Sequence, residues 1–257
     1  MSHPLSRLMA LLVAACLAVA SFACSSPVLE SGPIYDRVAP SSDGIGKVYM
    51  GREISQVMGH QGAYWLERPS RSQQERPDLA IAALDLAPDA TVADIGAGTG
   101  YMSFRLARSV PEGKVLAVDI QPEMVDFLEA EKAERDLENV RPVLGDAQDP
   151  HLDSETIDLA LMVDAYHEFA YPREMMQALV AALKPGGQVV LAEYRAENPL
   201  ILIKPHHKMS QAQVKAEMAA VGLEWLKTDE SLPQQHLMFF QKPVSAPAES
   251  SPPPLLD

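Results

Sequence analysis

Asp94-Ile-Gly96-Ala-Gly98-Thr-Gly100 is the stretch on which the fold of this chain turns. It follows a short apolar run, Thr91-Val-Ala-Asp-Ile95, and leads into the next helix, so its glycines occupy a strand-to-helix turn. Glycine removes the Cβ atoms that keep a ligand off the backbone, and a helix start offers unpaired N–H groups. Spacing separates the ligands such a turn could serve. The dinucleotide fingerprint needs a third glycine three residues after the second, where this chain has Tyr101. The phosphate loop of nucleotide hydrolases needs a Gly-Lys-Ser/Thr ending, which is absent. What remains is an acidic residue two positions before Gly-x-Gly-x-Gly.

Outward from the loop, strand-like and helix-like patterns alternate. Lys114–Asp119 is an apolar run, followed by Pro122 at a helix start and by Met124, Val125 and Leu128 at helical spacing. Val140–Leu144 and the nearly all-apolar Ile157–Val163 are further strands, the latter suited to burial on both faces. Met175, Met176, Leu179, Val180 and Leu183 make one apolar helix stripe, read as core packing, which ends at Lys184-Pro-Gly-Gly187. Gln188–Ala192 is the fifth strand, Ser210-Gln-Ala-Gln213 is a capping box, and Leu223–Leu226 and His236–Phe240 close the pattern. Five alternations of strand and helix predict an α/β fold with a doubly wound, parallel sheet. Lys47 to Leu86 reads as a helical cap over one end of it.

Composition bounds the rest. With 47% hydrophobic and 22% charged residues, 257 residues build one sizeable core. A net charge of −14 removes the phosphate attraction that starts most nucleic-acid binding, so no nucleic-acid partner is expected. Leu8 to Ala23 is uncharged and follows Arg7, which predicts an export signal over residues 1–23. Cys24-Ser-Ser resembles the start of a bacterial lipoprotein, so the expected location is periplasmic or lipid-anchored through Cys24; an uncleaved anchor helix is the alternative. Membrane contact is expected only through this segment. Residues 24–46 read as a flexible tether, 47–87 as the cap, 88–242 as the main domain and 243–257 as a disordered Pro-rich tail. Cys16 and Cys24 are the only cysteines, which leaves the main domain without a thiolate site.

Taken together, the loop and strand ends resemble class I S-adenosylmethionine-dependent methyltransferases. Asp119 ends the second strand, Gly145-Asp146-Ala147 follows the third, Val163-Asp-Ala-Tyr-His-Glu168 ends the fourth, and Lys184-Pro-Gly-Gly187 precedes the fifth. Within the class the chain is similar to a group of predicted bacterial methyltransferases that carry a Tyr-Met-Gly-Arg-Glu stretch, here Tyr49 to Glu53, and an export signal. It is more distantly similar to the quinone-biosynthesis C-methyltransferases. The resemblance implies a Rossmann-like, seven-stranded, mostly parallel sheet whose last strand is antiparallel, and S-adenosylmethionine as cofactor. It also implies cofactor contacts from Asp94, Gly96, Ala97, Gly98, Gly100, Asp119, Ile120, Asp146, Ala147 and Asp164, with Asp119 on the ribose and Asp146 on the adenine. Residue chemistry leaves an alternative at three of these: Asp94 as a turn cap, Asp119 as a solvated strand end, Asp146 as an Asx turn.

Tyr166-His167-Glu168 is the candidate catalytic patch. Histidine accepts a proton near neutral pH, and Glu168 would orient it; the alternative is a solvent-facing helix start. His60, Trp65, Tyr194, His207 and Lys208 are candidate substrate contacts on segments expected to cover the sheet edge. No histidine pair has a ligand spacing such as His-Glu-x-x-His, so no metal is expected. The leading expectation is methyl transfer to a small, uncharged or hydrophobic acceptor, with arsenic methylation excluded by the cysteine count. The alternatives are an exported, non-catalytic binding or scaffold protein, and another reaction on the same fold such as aminopropyl transfer.

Overall fold

The computed structural model describes residues 33–244, so the expected export segment, Cys24 and nearly all of the Pro-rich tail lie outside the described residues. The first described elements correct the expected tether and helical cap. β1 (Tyr35–Arg37), β2 (Gly44–Tyr49) and β3 (Arg52–Ser55) form a small antiparallel sheet in that order. Met50 and Gly51 join β2 to β3, and both have positive φ, 48° and 87°. Two such residues make a turn whose twist matches a hairpin. Met at the first position hides that turn from a reading that looks for Asn-Gly or Asp-Gly. Helix begins only at α1 (Ala63–Leu66), followed by α2 (Arg71–Glu75) and α3 (Pro77–Ala83).

β4 (Thr91–Ile95), β5 (Lys114–Asp119), β6 (Val140–Leu144), β7 (Ile157–Val163), β8 (Leu183–Tyr194), β9 (Glu224–Asp229) and β10 (Gln235–Gln241) form one seven-stranded sheet. Its order is β6-β5-β4-β7-β8-β10-β9. The first five strands are mutually parallel, and β10 runs antiparallel to β8 and β9. The last strand is therefore the antiparallel one, as expected. α4 (Ser103–Ser109), α5 (Pro122–Arg135), α6 (Pro172–Ala182) and α7 (Gln211–Ala219) flank it. Among the described residues no helix is long and apolar enough to cross a membrane.

Every residue of β4 is buried, because helices cover both faces of the sheet. One core gathers Val92, Leu106, Leu161 and Phe239; the other gathers Ile157, Met176, Leu179 and Phe240. The methionine stripe on α6 is core, as its spacing predicts. Ser210 caps α7 through its hydroxyl oxygen, which accepts from Gln213 N at 3.2 Å. β4 lies between β5 and β7, so successive crossovers leave it in opposite directions and open a crevice at the carboxyl ends of these strands. The functional loops converge there.

The small sheet is fastened to the same edge. Arg52 Nε and Nη2 donate to Glu217 on α7 at 2.9 and 3.0 Å, and Nη1 donates to the His167 carbonyl at 3.1 Å. Ser55 Oγ donates to that same carbonyl, and Lys47 Nζ donates to the Ala170 carbonyl at 2.6 Å.

Candidate functional site

The glycine loop folds back across the end of β5. Gly96 N and Ala97 N both donate to the Val118 carbonyl at 2.9 Å. Gly96, Gly98 and Gly100 have φ of 75°, 54° and 81°, a region closed to most side chains. Gly98 N donates to Asp119 Oδ2, and Gln121 N to Asp119 Oδ1, each at 2.9 Å. Asp119 is thus clamped at the loop rather than solvated at a strand end. Burial raises its pKa, against the N–H groups that favour the carboxylate. Asp94 is 2% exposed and accepts from Ser103 Oγ at 2.6 Å. Desolvation pushes its carboxyl up to about 6.

A cavity of about 620 Å³ opens in front of this loop. Asp94, Gly96, Ala97, Gly98, Asp119 and Ile120 line it, as do Ala147 and Asp164. Two expected cofactor contacts, Gly100 and Asp146, lie outside the lining. Gly100 faces the core instead, where a Cβ would come 2.3 Å from Phe104 Cε2. Asp146 is exposed and outside the lining: its Oδ1 accepts from Gln148 N and Asp149 N, which is the Asx-turn alternative. Asp164 has φ of 50°, and its Oδ2 accepts from Gln235 Nε2 at 2.7 Å. Its Oδ1 is buried without a partner. Burial, together with the Glu75 and Glu193 charges, raises its pKa well above the carboxylate range.

The catalytic candidates divide. Tyr166 is wholly buried and outside the cavity lining; its hydroxyl donates to Glu217 Oε2 at 2.7 Å, the same carboxylate that holds Arg52 of the small sheet. His167 and Glu168 line the cavity, and neither is the solvent-facing start of a helix. His167 Nδ1 is 2.6 Å from Glu193 Oε2, which comes from β8. Burial opposes a charge on this imidazole, but Glu193 and Glu168 outweigh it and raise its pKa. Glu168 Oε2 accepts from Met58 N at 3.1 Å.

Of the substrate candidates, Trp65, Tyr194 and His207 line the cavity. His60 does not; its exposed imidazole lies 3.7 Å from Glu123 Oε2. Lys208 does not either; its ammonium turns to the Ile201 carbonyl at 3.3 Å. His207 reaches His167, with Nδ1 3.1 Å from His167 Nε2, because Met209 N bonds the Tyr194 carbonyl and ties this loop to the end of β8. A sequence separation of 40 residues concealed the pairing.

The sequence reading missed a buried ionic cluster in the cavity wall. Arg71 Nε donates to Glu75 Oε2 at 2.8 Å, Arg68 pairs with Glu75 Oε1, and Tyr194 donates to that same oxygen at 3.0 Å. Arg71 also lies 4.0 Å over the Tyr101 ring. α2 is too short and polar to announce that both Arg71 and Glu75 are buried.

Residues 86–238 match the model of a family described as a methyltransferase domain. A mitochondrial 2-methoxy-6-polyprenyl-1,4-benzoquinol methylase of Caenorhabditis elegans is 32% identical over 125 residues, 47% of this chain and 44% of its own length. A ubiquinone/menaquinone biosynthesis C-methyltransferase of Idiomarina loihiensis is 30% identical over 105 residues, 40% of this chain and 42% of its own. The matches span less than half the length of these relatives. A solved structure, an S-adenosylmethionine-dependent methyltransferase from Aquifex aeolicus, superposes with a TM-score of 0.69 at 22% identity. That likeness covers 72% of this chain and all of the other, and it shows the fold.

Proposed function

Because this chain belongs to the methyltransferase domain family, we propose that it transfers a methyl group from S-adenosylmethionine to a small acceptor. The observation that carries the reading is Asp119, buried and clamped by two backbone N–H groups at the mouth of the glycine loop, with Asp94 beside it. Two carboxylates repel a pyrophosphate and suit ribose hydroxyls and a cationic sulfonium. The donor set fits the rest of the cofactor. Asp164 Oδ1, buried and unpartnered, is an acceptor waiting for a donor, which an ammonium supplies. Arg71 in the same wall suits a carboxylate.

S-adenosylmethionine supplies an activated methyl on a positive sulfur, and transfer disperses that charge. The protein's work is then alignment of nucleophile, carbon and sulfur, together with exclusion of water. Asp119 and the loop fix the nucleoside, while the cavity continues to His167, Glu168 and His207, where an acceptor's polar group would be held. Val57, Trp65, Leu202 and Phe169 also line the cavity and suit an apolar body. The benzoquinol methylase among the relatives supports an acceptor of that kind.

A structure with S-adenosylhomocysteine bound tests this. The nucleoside is expected on Asp119 with the sulfur facing His167; a nucleoside elsewhere, or a wall of side chains between sulfur and His167, refutes it. Export remains part of the proposal, carried by Leu8–Ala23, and fractionation that finds the intact amino terminus in the cytosol would contradict it.

A further inference from the structure

Three lone-pair atoms meet at the acceptor end of the cavity: His167 Nε2, His207 Nδ1 and Glu168 Oε1. Their separations are 3.1 Å between the imidazoles, 3.4 Å from His207 to Glu168, and 3.8 Å from His167 to Glu168. Each imidazole also has a carboxylate on its outer nitrogen. His167 Nδ1 faces Glu193 Oε2 at 2.6 Å, and His207 Nε2 faces Asp43 Oδ2 at 3.1 Å. Asp43 Oδ2 is buried and makes no hydrogen bond. A carboxylate beside the outer nitrogen is the usual partner of a metal-ligating imidazole, whose other nitrogen then faces the ion. The three inner atoms converge within ligand distance of one common centre.

We propose that His167, His207 and Glu168 bind a divalent first-row transition-metal ion of the zinc class. Bonds of about 2.1 Å at a tetrahedral angle place ligand atoms ~3.4 Å apart, near the middle of the three observed separations. Two imidazoles and one carboxylate favour zinc-class ions over magnesium or calcium, which prefer oxygen ligands. Three protein ligands leave at least one position open, toward the cavity. No other group of three such residues converges among the described residues. His236 illustrates the contrast: Glu230 and Glu197 occupy opposite nitrogens of one ring and share no common centre.

The ion's role rests on the methyl-transfer reading, whereas the site itself does not. Its open position takes an oxygen of the acceptor, such as a phenol or enol, and lowers that oxygen's pKa. The acceptor's proton leaves to water. The acceptor then forms its bond to the methyl carbon as the carbon–sulfur bond breaks and its electron pair stays on sulfur. The acceptor class that follows is a small, largely apolar molecule with an acidic oxygen.

Chelator-stripped full-length protein titrated with Zn²⁺ in a calorimeter tests the site. The expected result is one ion per chain with Kd below about 1 μM, weakened at least ~100-fold by His207→Ala and by Glu168→Gln, and about 10–100-fold by Glu193→Gln. Co²⁺ should give the visible bands of a nitrogen-containing, four- or five-coordinate site in the wild-type protein, a readout that needs no variant to fold. No uptake tighter than about 100 μM, or uptake that survives both His207→Ala and Glu168→Gln, overturns the proposal. S-adenosylmethionine titrated into the same wild-type samples separates the two readings: zinc without cofactor binding refutes methyl transfer and keeps the site, and cofactor without zinc does the reverse.

Discussion

Asp94→Asn should make the protein more stable at neutral pH and remove part of its pH dependence. The wild-type carboxyl is buried, and desolvation moves its pKa from the ordinary 3.8 to about 6. The folded state therefore holds a proton that the unfolded chain releases between those values. The stability this protonated group contributes is complete below pH 3.8 and is lost as pH rises through 6. A shift of that size corresponds to about 3 kcal/mol in full, of which roughly 1.4 kcal/mol falls between pH 5 and 7.5. Asparagine keeps an oxygen to accept from Ser103 and has no charge to desolvate. Urea unfolding of both proteins without cofactor, at pH 5 and at pH 7.5, reads the effect. The variant's stability relative to wild type should rise by about 1.4 kcal/mol between the two pH values. Parallel profiles would refute the claim that Asp94 is a desolvated acid. The group most exposed to this cost sits in the cofactor cradle, where a cationic ligand would offset it.

Glu217→Ala should destabilise the fold by about 3–5 kcal/mol in denaturant titration, because it leaves the Arg52 guanidinium buried without its ion-pair partner. The same variant frees the Tyr166 hydroxyl and loosens the anchor on the His167 carbonyl, so cofactor turnover should fall with stability. Met50→Asn should stabilise by about 0.5–1 kcal/mol in thermal unfolding, since asparagine tolerates the positive φ that methionine holds in the β2–β3 turn.

The sheet was legible because its central strands are buried on both faces and punctuated by glycine and proline; β4 and β7 are apolar apart from Thr91, Asp94 and Asp158. The cofactor cradle was legible for a related reason, since backbone geometry at positive φ leaves glycine as its mark. Two kinds of feature were hidden. The β2–β3 hairpin turns at Met50-Gly51, where tertiary packing of Tyr49 and Ile54 overrides the poor preference of methionine for that conformation. Long-range pairing was hidden as well, because nothing in the spacing of His167, Glu193, His207 and Asp43 shows that the fold brings them together. The placement of Tyr166, Asp146 and Lys208 outside the cavity lining was hidden because residue type reports chemistry but not direction. Their side chains turn to Glu217, to the local turn and to the Ile201 carbonyl instead of the cavity.

Calorimetry of S-adenosylmethionine with the full-length protein and with Gly98→Asp tests the central claim most directly. In the variant a side chain would have to adopt φ of 54° with its Cβ 2.7 Å from Leu66 Cδ1, and its carboxylate would stand beside Asp119. One cofactor per wild-type chain with Kd in the range of about 1–100 μM, and no measurable binding by a folded variant, is the predicted result. No wild-type binding at about 1 mM, or equal binding by both proteins, would contradict it.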